Sequence, residues 1–167
     1  ENHLNMERRT ALDLASGSGR DAVYLAIRGW KVLAVDYLEN LLQKAAKLAT
    51  RYGTSIATQC LDLEMNCEKI IPNFLLPQVD LVNVARYLHR PLFQVIKHLI
   101  KPGGFVIYHT FTQGVEAFGK PRRQRFILKK DELKTIFETF EILLHREGPI
   151  EDGRPAQFIF ARKPSEV

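Results

Sequence analysis

Short apolar runs rich in β-branched residues alternate along the chain with longer stretches in which apolar residues recur at helical spacing. The short runs predict seven strands, at residues 10–15, 31–35, 55–60, 79–84, 105–111, 140–146 and 157–162. The longer stretches predict helices at residues 20–28, 38–52, 91–100 and 131–139. Strands that alternate with helices are typical of a parallel sheet with helices on both faces, and the final strand pair adds an antiparallel strand at one edge. The pattern therefore predicts a doubly wound, seven-stranded α/β sheet that is mostly parallel.

Length and composition favour a single globular domain. The 167 residues fit one domain, taken as residues 1–167, and 46% hydrophobic with 26% charged residues argue against disorder. Cys60 and Cys67 form no CxxC motif, so we interpret them as reduced thiols of a cytoplasmic protein. No apolar run approaches the roughly 18 residues of a membrane span, and residues 1–9 are too polar for a signal peptide. Because the first strand begins near residue 10, we expect N-terminal helices or another domain upstream in the natural protein.

A glycine-rich segment, Asp13-Leu-Ala-Ser-Gly-Ser-Gly-Arg20, joins the first predicted strand to the first helix. Glycine permits positive φ and close approach of a ligand, and the helix start presents free N–H groups to an anion. Residues 17–22 by themselves also fit a dinucleotide fingerprint, with Asp36 ending the next strand, where a ribose would bind. Three features argue against a nicotinamide enzyme: the carboxylate of Asp13 at the strand end, the terminal strand pair, and the turn Lys101-Pro-Gly-Gly104.

Five motifs, taken in order, resemble those of the class I S-adenosylmethionine (SAM) dependent methyltransferases. They are Leu12-Asp-Leu-Ala-Ser-Gly-Ser-Gly19, Val35-Asp36, Leu61-Asp-Leu63, Asp80-Leu-Val-Asn83 and Lys101-Pro-Gly-Gly104. The resemblance covers nearly the whole chain and implies a Rossmann-like fold with SAM as cofactor; we predict no metal. Ala15 stands where the family usually has its first glycine, and we expect its backbone to keep a negative φ so that the methyl group fits.

The resemblance implies a role for each matching position. Asp13 would face the methionine ammonium, and Asp36 would accept both ribose hydroxyls. Asp62 would meet the adenine amino group, with the backbone N–H of Leu63 beside it, and the two glycines of the loop would admit the cofactor. The expected cofactor-binding residues are Asp13, Ala15, Ser16, Gly17, Gly19, Arg20, Asp36, Tyr37, Asp62, Leu63 and Asn83.

The segment after the fourth strand, residues 83–90, is expected to border the transferred methyl group. Methyl transfer depends mainly on alignment of the two reactants, which can contribute an effective molarity of about 10⁵–10⁸ M. Arg86, Tyr87 and His89 are the expected catalytic residues there, as a cation, a phenol and a base. The alternative is that Tyr87 and Leu88 pack under the next helix and that Arg90 is solvated. The segment lacks the Asn/Asp-Pro-Pro-aromatic motif of enzymes that methylate the exocyclic amines of bases, which argues against that reaction.

The end of the fifth strand is a second candidate region. Alternation puts Tyr108 and Thr110 on one face and His109 and Phe111 on the other, so we expect at most one pair to face the site. A lone strand histidine is more often a packed core residue than a ligand or base.

A third region is the long loop before the last helix, which carries four cations: Lys120, Arg122, Arg123 and Arg125. Guanidinium groups suit the recognition of oxyanions and carboxylates, and we list Arg125 among the expected catalytic residues. The loop is either a lid over the substrate or a solvated basic loop. An RNA-binding strip is less favoured, because aromatic residues are limited to Phe118 and Phe126.

Within the superfamily the chain most resembles the small-molecule methyltransferases of the tellurite-resistance and thiopurine types. The segments Ser18-Gly-Arg-Asp-Ala-Val-Tyr-Leu-Ala26 and Gly29-Trp-Lys-Val-Leu-Ala-Val-Asp36 carry this resemblance. It implies a methyltransferase acting on a small, anionic or soft nucleophile containing sulfur, selenium, tellurium or oxygen, with no membrane partner. The alternatives are an RNA or protein methyltransferase directed by an upstream domain, and a SAM-binding module without catalysis.

Overall fold

The computed structural model describes residues 9–165, which form one α/β structure around a seven-stranded sheet. In chain order the elements are β1 (Thr10–Leu14), α1 (Arg20–Ile27), β2 (Lys31–Asp36), α2 (Glu39–Arg51), β3 (Ala57–Cys60), α3 (Cys67–Ile70), β4 (Val79–Ala85), α4 (Leu92–Leu99), β5 (Ile100–Phe111), α5 (Glu132–Ile136), β6 (Glu141–Pro149) and β7 (Pro155–Arg162). The strand order is β3-β2-β1-β4-β5-β7-β6. Strands β1 to β5 run parallel, and β7 lies antiparallel between β5 and β6. The predicted fold is confirmed.

The two faces of the sheet are covered by different helices. On one face, residues of β1, β4 and β5 such as Leu14, Val84 and Tyr108 pack in the same cluster as Leu92 and Phe137 from the α4–α5 side. On the other face, small side chains of β1 and β2 pack in a cluster with α1 and α2 residues. Residues 9–165 include no helix with the length and apolarity needed to cross a lipid bilayer. The upstream segment expected from the sequence lies outside the described residues.

The predicted turn at residues 101–104 is wrong, because these residues belong to an irregular start of β5. Val79 pairs with Ile100 and Leu81 with Phe105, so the register shifts between them. Gly103 has a φ of 76°. A Cβ on Gly104 would lie 2.9 Å from the carbonyl oxygen of Asp80. The two glycines therefore allow the chain to bulge while β5 stays close to β4.

The last helix is shorter than predicted, since it covers Glu132–Ile136 instead of residues 131–139. Phe137 is fully buried and its ring contacts that of Phe140, with centroids 5.4 Å apart. The chain leaves the helix at Phe137, whose backbone has a φ of −100° and a ψ of 23°.

The segment between β5 and α5 is a closed loop, and we call residues 113–127 the basic loop. Thr112 and Leu128 form an isolated bridge at its base. Two short 3₁₀ helices, Val115–Phe118 and Gln124–Phe126, lie within it. The basic loop is therefore folded against the sheet at both ends.

Candidate functional site

The carboxyl ends of β1, β2 and β4 meet at one edge of the sheet, where open α/β sheets bind ligands. The turn after β1 lies against the end of β2, because the backbone N–H of Ser16 donates to the carbonyl oxygen of Val35 at 3.0 Å. The carboxylate of Asp36 accepts the N–H of Gly17 at 2.9 Å and that of Leu38 at 3.0 Å. Asp36 thus fixes the glycine loop, and each carboxylate oxygen keeps a further lone pair for a ligand.

The expectation of a negative φ at Ala15 is wrong. Its backbone is left-handed, with a φ of 54°, which costs about 1–2 kcal/mol for a residue with a Cβ. The turn itself requires this conformation, because the chain reverses directly after β1 to reach Val35. The glycine position of the family is therefore occupied here by a strained alanine, and Ala15 borders the cavity described below.

Glycine suits residues 17 and 19 of the loop for different physical reasons. A Cβ built on Gly17 has no described atom within 4 Å, which leaves open space beside its backbone. A Cβ on Gly19 would lie 2.4 Å from the Cβ of Ala45 in α2. Gly19 is thus required by the contact between α1 and α2, a packing role that the sequence did not reveal.

Asp13 is a buried carboxylate at the end of β1, only 2% exposed. Its Oδ1 accepts a hydrogen bond from Nδ2 of Asn83 at 2.9 Å. Its Oδ2 and the Oγ of Ser16 are buried without a hydrogen-bond partner among residues 9–165. Burial raises the pKa of Asp13 to about 7, although the Asn83 bond lowers it. Such a group is an unsatisfied acceptor for a cationic or donor ligand.

A cavity of about 570 Å³, which we call the strand-end cavity, opens beside these residues. Its lining residues are Ala15, Asp36, Tyr37, Leu61, Asp62, Leu63, Glu64, Met65, Arg86 and Tyr87. Asp62 lies in a turn, where its Oδ1 accepts the N–H groups of Glu64 and Met65, each at 3.0 Å.

The strand-end cavity brings together five of the expected cofactor-binding residues, namely Ala15, Asp36, Tyr37, Asp62 and Leu63. The other six are not among its described lining residues; they are Asp13, Ser16, Gly17, Gly19, Arg20 and Asn83. Asn83 donates a hydrogen bond to Asp13. Arg20 is an exposed residue at the start of α1. Leu61, Glu64 and Met65 were missed, since no charge or spacing signal distinguished them from loop residues.

Arg86 and Tyr87 form a wall shared with a second cavity. Arg86 has a left-handed φ of 56°, and its N–H donates to the carbonyl oxygen of His109 at 2.7 Å. The hydroxyl of Tyr108 donates to the carbonyl oxygen of Tyr87 at 2.6 Å. Burial raises the pKa of the Tyr87 phenol far above its ordinary value, so this group stays a hydrogen-bond donor at neutral pH. The strained backbone of Arg86 is typical of a functional site.

The second cavity, of about 590 Å³, is the basic cavity. Its lining residues are Arg86, Tyr87, Leu88, Thr110, Phe111, Lys120, Pro121, Arg122, Arg123 and Phe126. Four cations, no carboxylate and several apolar side chains thus surround one space. Because charged groups repel less when an anion lies between them, the arrangement suits a small anion.

Two expected catalytic residues lie elsewhere. His89 and Arg125 line a separate depression of about 270 Å³ rather than the basic cavity. The guanidinium of Arg125 lies over the ring of Phe126, 4.5 Å from its centroid. Phe126 borders both spaces, so its ring lies between Arg125 and the basic cavity. Arg122 and Arg123 occupy the position that the sequence analysis gave to Arg125.

The end of β5 differs from the alternation that was expected. Thr110 and Phe111, one from each face, both line the basic cavity, because this space lies beyond the strand's end. Tyr108 is buried, and His109 lines a groove near β6 and β7. Burial and the nearby Arg86 lower the pKa of His109, which keeps its ring neutral.

Comparisons with known proteins identify the family of the chain. The family profile described as "Tellurite resistance protein TehB" matches residues 5–151. An uncharacterized protein of Schizosaccharomyces pombe, UNK4.09, is 26% identical over an alignment that covers 98% of this chain and 59% of that protein. The chain thus spans about three fifths of the length of this curated relative.

Two solved structures have the same fold. TehB from Haemophilus influenzae superimposes with a TM-score of 0.73 at 22% identity, over 95% of this chain and 58% of that one. Magnesium protoporphyrin IX methyltransferase from Synechocystis, solved with bound S-adenosylhomocysteine (SAH), gives 0.70 at 18% identity, over 95% and 76%. At these identities the likeness establishes the class I methyltransferase fold.

Proposed function

The chain belongs to the tellurite resistance protein TehB family, and we propose that it transfers the methyl group of SAM to a small, soft anion. The observation that carries this proposal is the adjacency of two cavities, one acidic and one basic, across the wall of Arg86 and Tyr87. A methyltransferase has to bind a cationic sulfonium and a nucleophile side by side.

The residues in and beside the strand-end cavity fit SAM. The unpartnered Oδ2 of Asp13 would accept the methionine ammonium, and the buried carboxylate of Asp36 would accept the ribose hydroxyls. The open space at Gly17 lets the methionine chain lie along the backbone. Asp62 and the backbone of Leu63 would border the adenine. When bound, SAM supplies a methyl group on a sulfonium that leaves as a neutral thioether.

The basic cavity supports an anionic substrate. Lys120, Arg122 and Arg123 would bind the charge of a thiolate, selenolate or tellurium oxyanion, while Phe111 and Phe126 would exclude water from its soft atom. In the transfer, a lone pair of that atom forms the new bond to carbon, and the electron pair of the sulfur–carbon bond stays on sulfur. An anion carries no proton on its attacking atom, so the reaction needs no base. The protonated Tyr87 phenol is accordingly suited to orienting the substrate.

The first experiment is a calorimetric titration of the purified chain with SAM, SAH and NAD. We expect binding of both sulfur nucleotides and none of NAD. Asp36→Ala should weaken SAM binding by about 1–3 kcal/mol, because it leaves a buried diol unpaired. Glu141→Ala, an exposed acid in β6 at the edge of the sheet, is the control and should leave SAM affinity unchanged. Binding of NAD without SAM would refute the cofactor.

Release of SAH with a panel of thiols, selenite and tellurite then tests the substrate class. Turnover with at least one of these supports the proposal. SAM binding without turnover across the panel favours the alternative of a binding module without catalysis.

RNA methylation remains the second candidate for the basic residues. Binding to phosphates through four cations predicts a log–log salt slope of about −3 on single-stranded RNA. Lys120, Arg122 and Arg123 line one cavity instead of forming a strip, which favours a small molecule over RNA. We place the protein in the cytoplasm, where SAM and reduced thiols such as Cys60 and Cys67 are expected.

A further inference from the structure

Arg90 connects the segment after β4 to the end of the basic loop. Its Nε donates to Oε1 of Glu132 at 2.6 Å and its Nη2 to Oε2 at 3.0 Å, a bidentate ion pair with α5. The same guanidinium donates from Nη1 to the carbonyl oxygen of Arg125 at 3.0 Å and from Nη2 to that of Ile127 at 2.9 Å. One planar group thus holds two elements at once, and the alternative in which Arg90 is solvated does not describe this side chain.

These contacts flank a residue of the basic cavity. Phe126 lies between the two carbonyl groups that Arg90 holds, and its ring lines the basic cavity. Arg123 precedes the short helix Gln124–Phe126 and lines the same cavity. Arg90 itself is not among the described lining residues of that cavity. Any effect on a bound anion therefore passes through the loop.

Arg90 also follows Arg86 and Tyr87 by a few residues in the segment between β4 and α4. The loop base at Thr112 and Leu128 has separate anchors, since the hydroxyl of Thr112 donates to the carbonyl oxygen of Leu128 at 2.9 Å. Residues 125–127 lie beyond these anchors. The two bonds from Arg90 to the carbonyl oxygens of Arg125 and Ile127 hold these residues to the segment that carries Arg86 and Tyr87.

We propose that Arg90 is a positioning residue for substrate binding, because its guanidinium fixes Phe126 and Arg123 of the basic loop relative to Arg86 and Tyr87. This inference rests on the proposed methyl transfer to an anion. It assigns to Arg90 an effect on the substrate and none on SAM, whose expected residues lie in or beside the strand-end cavity. The planar fork matters as well as the charge, because a lysine has a single nitrogen and cannot reach Glu132 and both carbonyl groups together.

The test compares Arg90→Lys, Arg90→Met and wild type in SAH release with tellurite, or with whichever panel nucleophile turns over, and in SAM titration. We expect the KM for the anion to rise about tenfold in both variants, because small misplacements of binding groups are costly, while the Kd for SAM stays within about twofold. Arg51→Met is the matched control, since Arg51 is exposed on α2 and its side chain makes no hydrogen bond or ion pair with residues 9–165. An unchanged KM overturns the proposal, as does a wild-type KM in Arg90→Lys. A parallel rise of KM and SAM Kd in folded variants also overturns it, because it indicates a general structural defect.

Limited trypsin digestion gives a readout that needs no substrate. Trypsin can cut after Arg122, Arg123 and Arg125, and mass spectrometry identifies these cuts. With SAM bound, cleavage there should be at least about fivefold faster in Arg90→Met than in Arg51→Met, since the loop opens more easily. Equal rates overturn the anchoring role. If wild type releases no SAH with any nucleophile, the proposed function fails, and the digestion still decides whether Arg90 holds the basic loop.

Discussion

The two cavities share the wall of Arg86 and Tyr87 but are built in different ways. The strand-end cavity takes its acidic groups from the end of β2 and the turn after β3, and contacts such as Asp36 to Leu38 span very few residues. Half of the lining of the basic cavity comes from the basic loop, whose position depends on Arg90 and Thr112 at its base.

This difference separates two kinds of control over a site. Strand ends are held by the ladder of the sheet, so a side chain placed there keeps its position without further support. A loop side chain is placed by contacts with distant residues, so those residues also affect ligand binding at the site. We therefore expect changes near the strand-end cavity to alter stability and SAM binding, and changes near the basic cavity to alter anion binding.

Replacing Gly17 and Gly19 by alanine, in two separate variants, is the strongest test of the region around the strand-end cavity. Gly19→Ala should lower the free energy of unfolding by about 3 kcal/mol, because the new methyl group overlaps Ala45 and the φ of 80° is unfavourable. Gly17→Ala adds a methyl group in open space and should cost about 1 kcal/mol. Urea denaturation measures both. Equal losses would contradict the packing role of Gly19, and Ala45→Gly should restore part of the loss in Gly19→Ala.

The pH dependence of stability reports on Asp13. Its pKa is about 7 in the folded protein, against an ordinary value of 3.8 for an exposed aspartate, so between these values the folded state binds a proton that the unfolded state has released. Its contribution to the free energy of unfolding is therefore greatest below about pH 4 and falls as pH rises through 7, by up to about 1.4 kcal/mol per pH unit.

Urea midpoints at pH 5 and pH 7 check this dependence. The loss of unfolding free energy between these pH values should be about 2 kcal/mol greater for wild type than for Asp13→Asn, because the amide does not titrate. Identical pH slopes for the two proteins would show that the carboxyl is not perturbed.

SAM should also bind wild type more tightly at pH 8 than at pH 6, since its ammonium pairs with the ionised carboxylate.

The cations of the basic loop test the second region. Replacing both Arg122 and Arg123 by alanine should raise the KM for the anion about tenfold, equivalent to about 1.4 kcal/mol, and leave the Kd for SAM unchanged. Arg125→Ala is the matched variant, because its guanidinium lies over Phe126 in the neighbouring depression. It should change the KM by less than about twofold. Steady-state kinetics, followed by SAH release, measures both KM values. A larger effect of Arg125→Ala than of the double variant would show that Arg125 is the residue that binds the anion.

We expect the smallest effects at two residues with a strained backbone, Ala15 in the strand-end cavity and Arg86 in the basic cavity. Ala15→Gly and Arg86→Gly both relieve a left-handed backbone and should change the free energy of unfolding by no more than about 1 kcal/mol, since glycine also loosens the unfolded chain. Ala15→Gly should leave anion binding unchanged, whereas Arg86→Gly should weaken it. Thermal melts measure the stability of the two variants, and the KM for the anion distinguishes them. Equal changes in KM would contradict the assignment of SAM binding and anion binding to different cavities.

The strands and the acidic residues at their ends were predictable because they follow short-range rules. Asp36 comes directly after a buried apolar run, and parallel strands bring such ends to one edge. The structure places Arg86 and Tyr87 between the two cavities, and their catalytic roles stay predictions. Arg125 and Arg123 could not be told apart from the sequence, because both are loop arginines and the position of Phe126 decides which one reaches the basic cavity.

Periodicity along the chain determined the order of the elements, the mostly parallel sheet and the edge at which ligands bind, because these depend on contacts between neighbours in sequence and on burial. The tertiary structure decided that Gly19 has to be small, that Ala15 is strained, and that Arg90 holds the basic loop. Each of these depends on a residue far away in the chain, Ala45, Val35 and Glu132 respectively, whose proximity exists only after the sheet and helices have packed together.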